Sequence, residues 1–459
     1  MTQHFDAIVI GAGQAGPPLA GRLTGAGMSV ALVERKLFGG TCVNTGCMPT
    51  KTLVASAYAA HLARRGADYG LVIEAPPRID MLRVKARAHA VSARASSGVE
   101  GWLRGMQGCT VIEGHARFEG PDTVRVGKAL LGAPRIFINV GGRAVVPALP
   151  GIDRVRCLTN TSVLALDRVP KHLVIIGGSY IGLEFAQMHR RFGAAVTVVE
   201  KSPRLIARED EEVSQAIREI LELEGVAVRT AAECIHFAPR ANRVAVGVDC
   251  SSGDPEIIGS HVLLAVGRRP NTEDLDLGEA GVATDARGYI VVDDRLATNV
   301  PGIWALGDCN GRGAFTHTAY NDFEIVAANL LDGEDRKVSE RVPAYALYID
   351  PPLGRVGITE TEARARGRPL LVGRRPMSRV GRAIEKGETL GLMKVVVDAQ
   401  TRQILGAAIL GTGGDEAIHG ILDMMNAGVR YTALQRAVPI HPTVSELIPT
   451  MLAEMQTVG

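Results

Sequence analysis

Two stretches of the chain share one order of apolar and glycine-rich segments. Residues 5–34 contain FDAIVI, GAGQAGPPLAGRLTGAG and SVALVE, and residues 172–200 repeat this order with HLVIIG, GSYIGLEFAQMHRRFG and AVTVVE. The apolar runs do not alternate with polar residues, which is typical of strands covered on both faces. Each stretch therefore predicts a strand, helix and strand within a parallel sheet that has helices on its faces.

The pattern changes from about residue 343 onward. There MKVVVD and ILGAAILG predict strands, and DEAIHGILDMMNAG and TVSELIPTMLAEM predict helices, which is an α+β arrangement. Two bends, GGRAVVPALPG and GRRPNTEDLDL, flank the second repeat. We therefore expect an α/β chain with two doubly wound, Rossmann-like dinucleotide-binding domains and a C-terminal α+β domain. The expected limits are 1–150, completed by 271–340, for the first domain, 151–270 for the second and 341–459 for the third.

Composition narrows the function classes. The 459 residues carry a formal net charge of +2 and 4% aromatic residues, which argues against a nucleic-acid-binding surface. No run reaches the ~18–20 apolar residues that a membrane span requires, and the first residues show no secretory signal. Seven cysteines in a chain of this length do not form a secreted disulfide framework. We therefore expect a cytoplasmic protein, in which a disulfide would be catalytic rather than structural.

Three glycines lie between the first apolar run and the helix that follows it. Gly11, Gly13 and Gly16 form G-x-G-x-x-G, in which the first allows a tight turn and the second lets a pyrophosphate approach the backbone. The third lets the helix pack close to the strand, so that its free amides point at the phosphates. Glu34 ends the next strand, where a carboxylate can hold ribose hydroxyls. These residues predict a dinucleotide site.

The second repeat carries a variant of this motif. Gly177 and Gly182 take the outer positions, Ser179 replaces the middle glycine, and Glu200 lies at the same offset as Glu34. Serine is a small departure because its hydroxyl can hydrogen-bond a phosphate, although it sets a slightly looser approach. Two such sites predict two dinucleotides, most economically a bound flavin and a diffusible nicotinamide coenzyme.

The charges around Glu200 bear on the choice between NADH and NADPH. A carboxylate there repels the 2′-phosphate of NADPH and so favours NADH. Lys201 and Arg204 act in the opposite direction. Because exposed charges ~4 Å apart exchange only about 1 kcal/mol in water, this opposition is weak. NADH is therefore the favoured coenzyme.

Cys42 and Cys47 stand close together within GGTCVNTGCMPTK, residues 39–51. Pro49 and a helical pattern follow, so Cys47 is predicted at a helix start, where unpaired amides lower a thiol pKa, and Lys51 adds a positive charge. Structural zinc needs about four ligands, and the sequence has no second cysteine pair. The pattern favours a redox couple, with an inert crosslink and a metal pair as alternatives. The other cysteines are predicted to be small buried hydrophobic residues: Cys109, Cys157, Cys234, Cys250 and Cys309.

His441 and Glu446 form a further candidate pair. The segment from Thr443 to Glu446 matches a capping box, with Thr443 as N-cap, so the acid taken alone favours a structural role. An imidazole, with an ordinary pKa of roughly 6.5, can take a proton from a thiol and return it. Beside redox cysteines, an acid–base role for His441 is therefore favoured.

The cysteine segment resembles the active-site signature of the pyridine nucleotide–disulfide oxidoreductases, which include glutathione reductase, dihydrolipoamide dehydrogenase and mercuric reductase. The resemblance covers essentially the whole chain. It includes four further segments: GLE at 182–184, GRRPN at 267–271, ATNVPGIWALGD at 297–308 and HPTVSE at 441–446. It implies an enzyme with bound FAD, diffusible NAD(P)H and a C-terminal dimerisation domain that forms a homodimer.

The resemblance also implies roles for single residues. Cys47 would be the thiol beside the flavin that forms the charge-transfer thiolate, and Cys42 would be the interchange thiol that attacks substrate. Lys51 would lie near the flavin and pair with Glu184. Tyr180 would gate the nicotinamide pocket.

Further implied roles concern the subunit interface and the cofactors. His441 and Glu446 would form an acid–base dyad that one subunit supplies to the active site of the other. Asp308 would bind the ribityl chain of the flavin. The other implied FAD contacts are Thr41, Lys51, Ala116, Phe315, Thr316 and His317. Gly267 would join the second glycine motif at the NAD(P)H site, and no residue is assigned to a metal.

The electron acceptor is less defined than the electron path. AYALYIDPPLGRVGITE (344–360) and GCMPTKTL (46–53) are most similar to the mercuric-reductase-like branch, which includes copper-reducing enzymes of the reactive-chlorine response. Proven mercuric reductases end in a vicinal cysteine pair, whereas this sequence has no cysteine after Cys309. We expect reduction of a small disulfide or a soft metal ion. Dihydrolipoamide dehydrogenase is the alternative, and a non-catalytic flavoprotein component of a complex is a remote one.

Overall fold

The computed structural model describes residues 1–249 and 253–458. The strands, in chain order, are β1 (Thr2–His4), β2 (Ala7–Ile10), β3 (Val30–Glu34), β4 (Cys109–Glu113), β5 (Ala116–Gly120), β6 (Thr123–Val126), β7 (Ala129–Gly132), β8 (Ile136–Ile138), β9 (Gly142–Ala144), β10 (Cys157–Leu158), β11 (His172–Ile176), β12 (Ala195–Val199), β13 (Val226–Arg229), β14 (Glu233–Arg240), β15 (Arg243–Asp249), β16 (Glu256–Gly259), β17 (His261–Leu264), β18 (Arg268–Pro270), β19 (Ile303–Ala305), β20 (Ala344–Leu347), β21 (Leu353–Gly357), β22 (Leu370–Pro376), β23 (Leu392–Asp398), β24 (Ile404–Leu410) and β25 (Gln456–Val458).

The α-helices, in chain order, are α1 (Gly16–Gly25), α2 (Gly40–Asn44), α3 (Cys47–Arg64), α4 (Met81–Arg104), α5 (Asn160–Val163), α6 (Tyr180–Phe192), α7 (Glu211–Leu223), α8 (Thr316–Ala327), α9 (Glu360–Ala365), α10 (Gly381–Glu385), α11 (Gly414–Ala417), α12 (His419–Asn426), α13 (Tyr431–Gln435) and α14 (Ile448–Ala453). Short 3-10 turns include Gly307–Asn310 and Ser445–Leu447. No helix in the described part of the chain is long and apolar enough to cross a bilayer.

A five-stranded parallel sheet forms the core of the N-terminal part. Its strand order is β19-β8-β2-β3-β4. β2 pairs in parallel with β3 and β8, and all four of its residues are buried, as expected for a strand covered on both faces. β19 lies after the second repeat in sequence, so the chain returns to this sheet to complete it.

A second five-stranded parallel sheet, of order β10-β17-β11-β12-β13, contains the second repeat. β11 and β12 pair in parallel and α6 connects them, which is the predicted strand, helix and strand. The antiparallel sheet β14-β15-β16 lies between β13 and β17 in sequence. The two repeats therefore build two sheets of the same kind.

The C-terminal part is a six-stranded antiparallel sheet of order β20-β21-β24-β23-β22-β25, accompanied by short helices. The helix predicted over 443–455 is shorter than expected, because the α-helix begins only at Ile448, after the turn Ser445–Leu447. Pro449 lies in the first turn of α14. Proline lacks an N–H and is tolerated in a helix mainly at that position, so the α-helix does not start earlier.

The predicted fold class is confirmed: two Rossmann-like parallel sheets and a C-terminal α+β part. The two bends that flank the second repeat lie side by side, because β9 pairs antiparallel with β18. This two-stranded ribbon brings together the segment that leads into the second parallel sheet and the segment that leads out of it. The domain limits themselves stay a prediction.

Removing a leucine from the first sheet should destabilise the protein much more than removing one from a surface helix. Leu32 in β3 is completely buried, whereas Leu82 in α4 is 64% exposed. Leu32→Ala should lower the free energy of unfolding by about 2–5 kcal/mol, because a buried cavity remains. Leu82→Ala should change it little. Urea unfolding followed by circular dichroism measures both, and equal losses would contradict the placement of Leu32 in the core.

Candidate active site

Gly11 and Gly177 occupy equivalent turns after β2 and β11. Their φ angles are +109° and +113°, a region that residues with a Cβ rarely adopt. A Cβ on Gly11 would lie 2.3 Å from the carbonyl oxygen of Asn139, and one on Gly177 would lie 2.4 Å from that of Ala265. Both turns therefore require glycine, for their backbone conformation and for their close contact with a neighbouring strand end.

The third glycines are equally restricted. A Cβ on Gly16 or Gly182 would lie 2.1 Å from the carbonyl oxygen of the first glycine of its own motif. The helix can therefore pack directly against the turn. The middle positions of the two motifs differ: the first motif has Gly13, and the second has Ser179, which is the N-cap of α6. The Ser179 side chain makes no capping hydrogen bond, so its hydroxyl can reach a phosphate.

Glu34 and Glu200 hold matching positions at the strand ends. One carboxylate oxygen of Glu34 accepts a hydrogen bond from the N–H of Ala12 at 2.8 Å. One of Glu200 accepts from the N–H of Gly178 at 2.5 Å. Each acid therefore binds the glycine turn of its own unit, at the place where a ribose lies in this type of site.

A tight turn between two helices brings the cysteine pair together. Cys42 lies in α2, and Cys47 is the first residue of α3, as predicted. Gly46 separates the helices, and a Cβ there would lie 2.8 Å from the carbonyl oxygen of Thr41. Cys42 and Cys47 are free thiols that hydrogen-bond each other. The spacing in the sequence therefore gives direct contact between the two side chains.

Cys47 is the more acidic of the two thiols. The hydrogen bond from Cys42 lowers the pKa of Cys47 to about 6, and the Thr316 hydroxyl and the Lys51 charge act in the same direction against burial. The Thr316 Oγ1 atom lies 3.3 Å from the sulfur of Cys47. The pKa of Cys42 is raised, chiefly because it donates that hydrogen bond and also because it is buried. Near neutral pH the pair therefore carries a thiolate on Cys47 and a proton on Cys42.

Lys51 connects the helix of the cysteine pair to the second parallel-sheet unit. Its Nζ donates to Oε2 of Glu184 at 2.7 Å, and the Glu184 side chain is only 3% exposed. The backbone N–H of Tyr348 donates to the other carboxylate oxygen at 3.1 Å, and Nζ lies 4.6 Å from the centre of the Tyr348 ring. A buried carboxylate needs such partners. Tyr348 belongs to the C-terminal part and lies within the segment 344–360 that carries the resemblance, but no role was predicted for it.

Tyr180 lines a cleft of about 620 Å³ together with Phe315, Arg208 and Tyr345. The Tyr180 ring lies 5.5 Å from that of Phe315, which in turn stacks on Tyr345 at 5.8 Å. The guanidinium of Arg208 lies over both tyrosine rings, at 5.3 Å and 4.6 Å from their centres. Burial raises the pKa of Tyr180. Sequence reasoning missed Arg208, which lies in no recognised motif, and it assigned no role to Tyr345, although Tyr345 lies within the segment 344–360 that carries the resemblance.

Asp308 and Gly267 are both neighbours of Arg268, Asp308 through a hydrogen bond and Gly267 in the sequence. Asp308 lies in the turn Gly307–Asn310 and accepts a hydrogen bond from Nη2 of Arg268 at 3.1 Å. Gly267 precedes Arg268 and has a φ of +126°, and no atom lies within 4 Å of a Cβ built there. Glycine is therefore favoured at 267 by backbone conformation rather than by crowding.

Four more sequence-predicted positions differ in how they relate to the cysteine pair. Thr316 begins α8 and contacts Cys47 directly. Thr41 and His317 each donate a side-chain hydrogen bond to a backbone carbonyl, at 3.4 Å and 2.8 Å. Ala116 is buried at the start of β5, where it pairs with β6. The cofactor roles of all four residues stay predictions.

The ring of His441 hydrogen-bonds Glu446, with 2.8 Å between Nδ1 and Oε2. The His441 side chain is 81% exposed and that of Glu446 is 14% exposed. Within the described chain no hydrogen bond joins His441 to either cysteine of the pair. The capping-box alternative is wrong, because Glu446 binds the imidazole while the Thr443 hydroxyl donates to the carbonyl of Ile440.

The remaining cysteines differ in burial. Cys309 is fully buried, as predicted, and Cys109 and Cys157 are partly buried. Cys234 is exposed, so the prediction of a buried position is wrong there. It lies on β14, an edge strand of a small antiparallel sheet, at the point where the pairing with β15 is irregular between Glu233 and His236. Cys250 lies outside the described residues. Among the described residues, no group of three or more His, Cys, Asp or Glu side chains is placed to hold a metal ion.

Comparison with known proteins decides the family. A family model described as pyridine nucleotide-disulphide oxidoreductase matches residues 5–322, and the dimerisation domain of that family matches residues 343–452. The chain belongs to the pyridine nucleotide-disulphide oxidoreductase family. The predicted family and enzyme class are therefore confirmed, and the chain carries the dimerisation domain of the family.

Three relatives illustrate the similarity. The probable pyridine nucleotide-disulfide oxidoreductase RclA of Escherichia coli is 36% identical, over 96% of this chain and 97% of the relative. A dihydrolipoyl dehydrogenase of Thermus scotoductus is 35% identical, over 96% and 95%. A mercuric reductase of Bacillus cereus is 31% identical, over 96% of this chain and 70% of the relative.

A solved structure is similar over nearly the whole chain. It is the Cu(II) complex of the HOCl-induced flavoprotein disulfide reductase RclA from Escherichia coli. The TM-score is 0.89 at 34% sequence identity, and the match covers 98% of this chain and 99% of the other. The similarity extends across both parallel sheets and the C-terminal part.

Members of this family depend on FAD and NAD(P)H, which confirms the cofactor prediction. The residues of this chain fit two dinucleotides, because both turns bring bare backbone amides to a helix start. The turn at Gly11 with Glu34 would hold FAD, and the turn at Gly177 with Glu200 would hold NAD(P)H. When bound, FAD supplies the two-electron exchange between a nicotinamide and a disulfide.

The reduced enzyme should show one thiol that ionises near pH 6. Alkylation of Cys47 by iodoacetamide should be half-maximal at about pH 6 and should fall below it, because protonation removes the thiolate. Thr316→Val should raise this midpoint by roughly one pH unit, because it removes a hydrogen bond to the charged sulfur. Mass spectrometry of the alkylated peptides measures both.

Thr318→Val serves as the control for this titration. Its hydroxyl bonds the backbone at Phe315 and not the sulfur, so the Cys47 midpoint should stay in place. A midpoint near the ordinary thiol value in the wild type would contradict the described environment of Cys47.

Proposed function

We propose that this enzyme passes electrons from NAD(P)H, through FAD and the Cys42–Cys47 pair, to a small disulfide or a soft metal ion. The observation that carries the proposal is the contact of these two thiols at a helix start, with the pKa of Cys47 lowered to about 6. Such a pair can open and close as a disulfide, since one sulfur is already a thiolate. An inert crosslink would need no such difference in acidity.

The two cysteines would divide the chemistry between them. Cys42 lies in the short helix α2 and holds the proton of the pair. After losing that proton it would attack the disulfide of the substrate, form a mixed disulfide and release one thiol. Cys47 would then attack Cys42, which releases the second thiol and restores the Cys42–Cys47 disulfide. With a metal ion as acceptor, Cys42 would lose its proton and both sulfurs would bind the ion. Oxidation of the pair to the Cys42–Cys47 disulfide would supply two electrons, which reduce one mercuric ion or two cupric ions.

Lys51, Glu184 and Tyr180 would support this exchange. The charge of Lys51 favours the thiolate of Cys47 and is itself fixed by the buried Glu184. Tyr180, at the start of α6, would control access to the nicotinamide side of the cleft. Lys51 and Glu184 are positioning residues in this scheme.

The similarity to RclA supports the proposal that this enzyme belongs to the mercuric-reductase-like branch of the family. RclA shares 36% identity, and its solved structure is described as a Cu(II) complex, which agrees with a soft-metal acceptor. Dihydrolipoamide dehydrogenase stays the second candidate, because such enzymes share 35% identity over almost the whole chain. A non-catalytic component of a complex is the remote alternative, and the acidic Cys47 thiol speaks against it.

NADH is the proposed coenzyme and the cytoplasm the proposed location. The Glu200 carboxylate stands where the 2′-phosphate of NADPH would approach. The Nη2 atom of Arg204 donates to the carbonyls of Ala207 and Glu209 at 3.1 Å and 3.2 Å, so its charge is held by the backbone. This leaves Lys201 as the exposed positive charge beside the acid.

The active site is proposed to be shared between two subunits of a homodimer. His441 and Glu446 lie within the segment matched by the dimerisation domain. Val438 and Ile440, just before His441, are 96% and 78% exposed in the single chain. Exposed apolar residues next to an exposed imidazole are expected at an interface. Glu446 would orient His441 of the partner subunit, so that it accepts and returns the proton of Cys42.

A panel of acceptors should separate the candidate reactions. With NADH as donor, the purified enzyme should reduce cupric or mercuric ions, or a small disulfide such as glutathione disulfide, faster than lipoamide. Cys42→Ser should reduce the rate with any thiol-dependent acceptor by at least about 100-fold, because the interchange thiol is lost. Faster turnover of lipoamide than of every other acceptor would favour the dehydrogenase instead.

Mixed dimers should reveal a shared site. Homodimers of Cys42→Ser and of His441→Gln should each be slow, the latter by about 100-fold or more because a proton acceptor is lost. A mixed dimer, purified through two different tags, should regain about half of the wild-type rate, since one of its sites combines intact Cys42 and His441. A mixed dimer as slow as its parents would show that the site lies within one chain.

A further inference from the structure

The cleft beside Tyr180 is strongly cationic. Of the described residues that line it, seven are arginines and two are acids. Five of the arginines have a carboxylate or carbonyl partner: Arg268, Arg269, Arg287, Arg312 and Arg341. The side chains of the other two, Arg208 and Arg355, form no hydrogen bond with any described residue: Arg208 lies over two tyrosine rings, and Arg355 has only a long ion pair with Glu209. These two arginines are therefore available to a ligand.

Arg355 is deeply buried and yet lacks partners at the end of its side chain. It is 1% exposed, and neither Nη1 nor Nη2 has a hydrogen-bond partner among the described residues. The acid beside it is Glu209, whose Oε2 is also buried without a hydrogen-bond partner and lies 3.8 Å from Nε. This is an ion pair, but it is too long for a hydrogen bond and leaves Nη1 and Nη2 unpaired. The other oxygen of Glu209 accepts from the hydroxyl of Tyr345. Buried N–H groups of a cation are rarely left unpaired, so a partner for them is expected.

Arg208 reaches the same place from the second parallel-sheet unit. Tyr345 and Arg355 are direct partners across β20 and β21, so their side chains leave the sheet on one face, about 4.5–5.5 Å apart at Cβ. The Arg208 guanidinium lies 4.6 Å from the centre of the Tyr345 ring. Two cations without acid partners at hydrogen-bond distance therefore flank one tyrosine in the wall of the cleft.

We propose that Arg355 and Arg208 form an anion subsite for a phosphate or carboxylate group of a small ligand in this cleft. The planar fork of a guanidinium matches these groups, and a bound anion would satisfy the free N–H groups of Arg355. This proposal takes one point from the proposed function, namely that the cleft beside Tyr180 receives a ligand of the enzyme. The anion has two sources to distinguish, a phosphate of the nicotinamide coenzyme or a separate small anionic molecule.

Equilibrium binding to the FAD-loaded enzyme tests the subsite. Isothermal titration with inorganic phosphate, and separately with NAD⁺, compares the wild type with Arg355→Gln and Arg208→Gln. Each variant should weaken the affected ligand by about tenfold or more, because a charged hydrogen-bond donor is lost. Arg287→Gln is the matched control, since Arg287 lines the same cleft but is 77% exposed and pairs with Asp285. It should change affinity by about twofold or less.

The two ligands identify the source of the anion. If NAD⁺ binding weakens in both variants, with or without measurable phosphate binding, the subsite holds a phosphate of the coenzyme. If only phosphate binding weakens, it serves a separate anionic molecule. Unchanged affinity for both ligands, or an equal loss in Arg287→Gln, would overturn the subsite. Binding needs no turnover, so the result does not depend on whether the proposed electron transfer occurs.

A second variant covers the case that Arg355→Gln fails to fold. Removing Arg355 leaves Glu209 buried without its nearby cation, which destabilises folded proteins. The double variant Arg355→Gln with Glu209→Gln removes both charges together. It should fold and still lose the anion affinity, whereas recovery of full affinity in this double variant would show that Arg355 serves only Glu209.

Discussion

The hydrogen bond from the Cys42 thiol to Cys47 places the negative charge of the pair on one sulfur. That charge is stable because Cys47 begins α3, receives the Thr316 hydroxyl and lies within reach of the Lys51 charge. The proposed exchange depends on this difference in acidity between the two thiols. If their pKa values were equal, nothing would determine which sulfur carries the charge and which carries the proton. The tight turn at Gly46 is what keeps the two sulfurs in contact.

The charges that surround this pair connect separate parts of the fold. Lys51 comes from the helix of the cysteines, Glu184 from the second parallel-sheet unit and Tyr348 from the C-terminal part. Because Glu184 is buried, it cannot lose these partners without a large cost in stability. One carboxylate therefore joins three parts of the fold beside the redox pair.

The two dinucleotide-binding units repeat the same glycine turn between a strand and a helix. Their first glycines share the same φ region and the same close contact with a strand end, at Gly11 and Gly177. They differ at the middle position, where Ser179 presents a free hydroxyl at the start of α6. The arginine-rich cleft lies beside Tyr180, which follows Ser179 at the start of α6. The sequence pattern of the two repeats does not predict this cleft.

The sequence by itself determined the two parallel sheets, both glycine turns and the position of Cys47 at a helix start, because each follows from residues near one another in the chain. Tertiary structure decided the rest. The resemblance implies the pairing of Glu446 with His441, and the structure has this pair in place of the helix cap that the local pattern favours. Cys234 is exposed because it lies in the edge strand β14, where the pairing with β15 is irregular between Glu233 and His236. Tyr348 and Arg355 lie in a segment that carries the resemblance, but the contact of Tyr348 with Glu184 and the place of Arg355 in the cleft exist only in the folded chain. Local patterns of polar and apolar residues do not encode contacts between segments that are far apart in the sequence.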